Sequence, residues 1–200
     1  MRFLALGDSY TIGEGVEERD RWPVRLAALL AARGAEVAAP EIIARTGWTT
    51  DELEEAISSA HPAGRYSLVT LMIGVNDQYR GRDPEIFRTA FGRLLNQSVG
   101  LAGGVADHVL VISIPDWSGT PFAEGRNRGA IASQLDRYNE IIAEAARHRG
   151  ARFVDVTPSS RAVIDDSALL AGDGLHPSGL LYERWALLAL PEALAALGAR

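Results

Sequence analysis

Arg2-Phe3-Leu4-Ala5-Leu6 runs straight into Gly7-Asp8-Ser9-Tyr10. A short apolar run closed by a glycine and polar residues reads as a strand buried on both faces and ending in a turn. The pattern recurs downstream, predicting strands over residues 2–6, 41–44, 68–73, 108–114 and 152–156. Helical patterns fill the intervals at 23–33, 50–60, 84–101 and 131–149, and a last helix is predicted from about 178 to 197. This alternation predicts an α/β fold of three layers, a five-stranded parallel sheet with helices on both faces. Several helices carry start signals: Pro23 in a first turn, Thr49 with Glu52 as a capping box, and Asp83 before Pro84. Gly34 and Gly150 stand where helix C-caps are expected. No repeat and no linker interrupts the chain, so residues 1–200 are expected to form a single domain.

Composition narrows the chemistry. Cysteine is absent, which removes thiol nucleophiles, disulfides and thiolate metal sites. All twenty basic residues are arginine, so Schiff-base chemistry and a phosphate-binding lysine are excluded. A net charge of −6 argues against a nucleic-acid surface. No stretch suits a membrane span; the Leu- and Ala-rich 187–197 reads as a packed helix. The first residues lack a secretory apolar region, making a cytoplasmic location the expectation. Nothing in the sequence speaks to oligomeric state.

In a doubly wound sheet, ligands bind beyond the carboxyl ends of the strands. Gly7-Asp8-Ser9 follows the first predicted strand, Thr46-Gly47-Trp48-Thr49 the second, Gly74-Val75-Asn76-Asp77 the third, and Asp173-Gly174-Leu175-His176-Pro177 the fifth. With strand order 2-1-3-4-5, Ser9 would be flanked by Gly47 and Asn76. Asp173, three residues before His176, can curl back onto the ring's Nδ1 and leave Nε2 to accept a proton from a serine. The N–H groups of Ser9 and Gly47 and the Asn76 amide could converge on one developing oxyanion.

Taken singly, each block has a plain structural reading. Gly7-Asp8-Ser9 can cap the next element, Gly47 can relieve backbone strain, and Asn76-Asp77 can bond its own turn. Their order, each at a strand end, argues against coincidence. On these four blocks the chain resembles the SGNH hydrolase superfamily, which includes the GDSL lipases and esterases. The resemblance implies a flavodoxin-like fold, hydrolysis of carboxylic esters, and no metal or organic cofactor. It places the family's Ser, Gly, Asn and His on Ser9, Gly47, Asn76 and His176, with Tyr10 where a Leu often follows the Gly-Asp-Ser.

The expected activity is cleavage of a small-molecule ester, with short acyl groups favoured because a chain of this length leaves little room for a lid. Ser9, Asp173 and His176 would be catalytic, and Ser9, Gly47 and Asn76 would form the oxyanion hole. Tyr10, Trp48, Trp117 and Phe122 are candidate substrate contacts. The same groups could serve carbohydrate O-deacetylation, thioester hydrolysis or acyl transfer. Two rivals are a metallophosphoesterase using Asp8, Asn76, Asp77, Asp173 and His176, and a binding module whose segment 7–15 cradles a phosphate. Asp8 and Asp77 are expected to hold loops. His61, His108 and His148 are expected to be structural or solvated. The irregular segments 115–129 and 165–177 are the candidate substrate rim and the carrier of the Asp and His.

Overall fold

Five parallel strands, β1 (Phe3–Gly7), β2 (Glu41–Ala44), β3 (Leu68–Met72), β4 (Val109–Ile112) and β5 (Arg152–Val154), lie in the order β2-β1-β3-β4-β5. The computed structural model describes residues 1–198. Every residue of β1, β3 and β4 is buried, as expected of strands covered on both faces. The register decides where the turns emerge. Gly7 pairs with Ala44 on one side and Met72 on the other, so the segments after β1, β2 and β3 leave the sheet level with one another.

Helices α1 (Ser9–Ile12), α2 (Trp22–Ala32), α3 (Thr50–Ala60), α4 (Val75–Tyr79), α5 (Pro84–Leu101), α6 (Arg128–Arg149), α7 (Thr157–Arg161) and α8 (Gly179–Ala196) complete the layers. One face is covered by α2 against α8, the other by α3, α5 and α6. Trp22, Leu26 and Leu30, spaced by four, form the buried stripe of α2, and Leu181, Trp185 and Ala189 that of α8. On the far face Phe87 stacks on Tyr138, their centroids 4.4 Å apart, joining α5 to α6.

The expected start signals operate. Asp83 Oδ1 accepts the N–H groups of Glu85 (2.8 Å) and Ile86 (3.3 Å), and the Glu52 carboxylate accepts that of Thr49 (2.8 Å). Gly150 caps α6 in the left-handed region.

Several boundaries differ from the sequence expectation. His108 closes a short 3₁₀ turn, Ala106–His108, and β4 starts only at Val109. That strand stops at Ile112 because Asn139 of α6 takes both backbone groups of Ile114: Oδ1 accepts its N–H (2.7 Å) and Nδ2 donates to its carbonyl (2.9 Å). β5 stops at Val154, and beyond it the Val156 N–H turns to Ser113 Oγ (2.8 Å). Helix α6 begins earlier than predicted because Asn127 caps it through the Ala130 N–H (3.0 Å), shortening the 115–129 segment. The short helices α1, α4 and α7 have too few turns to carry a periodic signal and were not predicted.

Candidate active site

Ser9 opens α1 immediately after β1. Asp8 caps that turn by accepting the Tyr10 N–H on Oδ1 (3.0 Å), which fixes the backbone carrying Ser9. The strand can reach this turn only with glycine at position 7. A Cβ there would collide with Thr11 Oγ1 and lie 2.5 Å from the Met72 carbonyl oxygen. Asp8 itself is buried, and its Oδ2 has no partner among the described residues. Burial pushes its carboxyl up to about 7, the charge of Asp77 adds to the rise, and the Tyr10 N–H opposes it.

Gly47 lies beyond β2 with φ +85°. A Cβ built at this position would meet Arg80 Nη2 at 3.9 Å, so no neighbouring protein atom demands a glycine. The requirement is the left-handed backbone. Arg80 donates to the Gly47 carbonyl (2.7 Å), so that carbonyl is held, while the N–H of Gly47, like that of Ser9, bonds no acceptor among the described residues.

Asn76 sits in the first turn of α4. Its Nδ2 donates to the Trp48 carbonyl (2.9 Å), which orients the amide and leaves its second hydrogen available. Asp77, the next residue, is fully buried and accepts from Thr50 N–H (3.0 Å), Thr50 Oγ1 (2.8 Å) and Arg82 Nε (3.2 Å). It therefore ties α4 to the start of α3 and faces no substrate space. Burial raises its pKa, against the Thr50 hydrogen bonds and the Arg82 charge.

The 173–177 segment folds as its spacing predicts. Asp173 Oδ2 lies 2.6 Å from His176 Nδ1, and Oδ1 accepts the N–H groups of Leu175 and His176, both at 2.9 Å. Burial raises the Asp173 pKa, but the His176 contact and the two N–H groups outweigh it and hold the carboxyl below its ordinary value. With Nδ1 engaged, Nε2 is the ring nitrogen left to exchange a proton. The Tyr10 ring packs against the imidazole, centroids 5.3 Å apart.

Ser9, Gly47, Asn76 and His176 line one cavity of about 170 Å³, together with Tyr10, Trp117 and Phe122. Tyr79, which sequence reasoning missed, is part of the same wall. It lies three residues after Asn76 on α4, so recognition of that short helix would have placed both on one face. Trp48 does not line the cavity: its ring packs against the core and its carbonyl holds Asn76. Trp117 lines the cavity and is also buried. Among the described residues, no group of three or more His, Asp or Glu side chains converges to hold a metal. Asp8 and Asp77, two ligands of the metal alternative, are turned to the Tyr10 backbone and to Thr50 and Arg82. His61 bonds the Ser59 carbonyl through Nδ1 (2.9 Å), away from this rim.

The model of the GDSL-like lipase/acylhydrolase family matches residues 5–184, a span that holds all four blocks. The chain belongs to this family. Membership makes this GDSL-type protein a carboxylic ester hydrolase. Solved structures share its fold. TesA superposes with a TM-score of 0.74 at 17% identity, covering 98% of this chain and 100% of that one. A lipolytic protein of the G-D-S-L family from Veillonella parvula gives 0.70 at 20%, covering 96% and 97%. Axe2, an acetylxylan esterase from Geobacillus stearothermophilus, gives 0.68 at 19%, covering 100% and 94%. At these identities the likeness concerns the fold alone. No curated protein matches the chain by sequence. No helix among the described residues is long and apolar enough to cross a membrane.

Proposed function

We propose that this GDSL hydrolase cleaves short-chain acyl esters through a serine nucleophile, working as one catalytic domain. The observation that carries the reading is the meeting of Ser9, Gly47, Asn76 and His176 on one cavity, with Asp173 on the far side of the imidazole. In this reading Ser9 Oγ attacks the ester carbonyl as His176 Nε2 takes its proton. Asp173 orients the ring and stabilises the imidazolium. The Ser9 and Gly47 N–H groups and the free Asn76 N–H bind the oxyanion. His176 then protonates the departing alcohol, leaving an acyl group on Ser9. Water repeats the sequence with His176 as base and restores the serine.

The cavity supports the short-chain preference: an apolar space of about 150 Å³ admits a benzene ring, so about 170 Å³ suits an acyl group of up to about six carbons. The same chemistry would act on acetylated sugars and acyl thioesters. A panel of p-nitrophenyl acetate, butanoate and decanoate, acetylated xylo-oligosaccharides and a butanoyl thioester ranks these substrates. The expected result is highest kcat/KM on the short p-nitrophenyl esters, abolished in Ser9→Ala. Equal hydrolysis by Ser9→Ala would refute the mechanism.

A further inference from the structure

The aromatic wall of the cavity is held by two polar side chains that do not line it. On the buried side, Trp117 Nε1 donates to Gln78 Oε1 (3.0 Å), and Gln78 Nε2 donates to Gln134 Oε1 on α6 (2.8 Å). On the solvent side, the Arg126 guanidinium carbon lies 5.1, 5.6 and 5.3 Å from the ring centroids of Tyr79, Trp117 and Phe122. Arg126 Nη2 also donates to Tyr79 Oη (3.1 Å). These rings come from two places: Tyr79 from α4, and Trp117 and Phe122 from the segment between β4 and α6. They touch one another at centroid distances of 5.7 to 6.0 Å. Tyr79 and Phe122 are 46% and 41% exposed, so core packing alone does not fix them. Arg126 has no carboxylate within 4.0 Å among the described residues, which leaves its cation to the ring faces.

We infer that Gln78 and Arg126 are positioning residues that set the acyl-chain length this cavity accepts, by holding Trp117, Tyr79 and Phe122 closed around it. The inference rests on the short-chain ester reading and names the residues that determine its specificity. Gln78 fixes the indole plane through a buried hydrogen bond. Arg126 clamps the loop rings to the helix ring. In this proposal an acyl chain longer than about six carbons runs up against the three rings, and with either anchor gone they yield to it more easily.

The test compares kcat/KM on p-nitrophenyl hexanoate and decanoate for the wild type, Arg126→Ala, Arg126→Lys and Gln78→Leu. The wild type is expected to favour hexanoate over decanoate, which is four methylenes longer, by about tenfold or more, the scale that even one misfitted methylene produces in an apolar pocket. In Arg126→Ala and Gln78→Leu the preference should shrink to about threefold or less, mainly through KM. Arg126→Lys should fall between, because an ammonium keeps the charge and loses the planar face that stacks on the rings. Arg126 is exposed, so its variants decide the matter even where Gln78→Leu fails to fold. Binding of hexan-1-ol and decan-1-ol, followed by tryptophan fluorescence, reads the same wall without catalysis. A length preference in alcohol binding that both substitutions relax, in a protein that cleaves no ester, would sink the esterase reading and sustain this inference. A hexanoate preference left unchanged by Arg126→Ala would overturn it.

Discussion

Asp173 grips His176 twice, with Oδ2 on the ring nitrogen Nδ1 at 2.6 Å and Oδ1 on the backbone N–H at 2.9 Å. One carboxylate thereby fixes both the course of the turn and the plane and tautomer of the imidazole. Its lowered pKa sets the sign of the pH response. The stabilisation is fully present above the ordinary carboxylate range and is lost only as pH falls through the still lower folded-state value.

Asp173→Asn should therefore lower kcat by about 10⁴-fold at neutral pH with little change in KM, because an amide neither enforces the tautomer nor stabilises the imidazolium. Steady-state kinetics on p-nitrophenyl butanoate provide the check. Full activity in this variant would reduce the pair to a turn-forming contact.

Asn76 is oriented by its bond to the Trp48 carbonyl and has one hydrogen left for substrate. Asn76→Ala should lower kcat by about 10² to 10³-fold, the usual effect of losing one oxyanion donor. Asn76→Asp, which keeps the size and loses the donor, should do at least as much damage. An effect confined to KM would show that the amide binds the ground state only.

Asp8 makes stability depend on pH in the opposite direction from Asp173. Its carboxyl is raised from 3.8 to about 7, so the folded chain holds a proton that the unfolded chain has released across that window. Stability should decline as pH rises from about 4 to about 7 and level off above, by an order of about 4 kcal/mol for three pKa units. Urea denaturation at pH 5 and pH 8 measures this. Asp8→Asn, neutral throughout, should flatten the difference; an equally steep slope in that variant would assign it to another group.

Asp77 and Arg82 form an ion pair whose acidic member is fully buried and also holds Thr50 by two hydrogen bonds. Removing the carboxylate in Asp77→Ala leaves a donor set without its acceptor and should cost about 3 to 5 kcal/mol. A loss below about 1 kcal/mol in urea melts would mean that α4 is held to α3 by other contacts.

The sheet and its rim were legible because each strand is a short apolar run ended by a glycine or polar turn, a local pattern that needs no knowledge of distant contacts. The Asp173 and His176 contact was legible for the same reason, being closed within four residues. What escaped the sequence depends on partners far along the chain. Asn139 ends β4 from a helix 25 residues away, and Ser113 draws Val156 out of β5 across 43. Tyr79 was hidden because α4 is only five residues long, too short for periodicity to reveal which face it presents. Trp48, beside Gly47, reads from sequence equally as core or as a substrate contact; after the left-handed turn at that glycine its ring packs against the core. Arg126 carries no motif at all, since its place over three rings exists only once the loop meets α4.

The central claim is that Ser9 is the nucleophile, and its most direct test is covalent. The protein is treated with a fluorophosphonate at neutral pH, and intact mass and peptide mapping locate the adduct. One adduct on Ser9 is predicted, absent in Ser9→Ala and strongly slowed in a His176→Ala variant that still folds. Labelling of another residue, or equal labelling of the Ser9→Ala protein, would contradict the account.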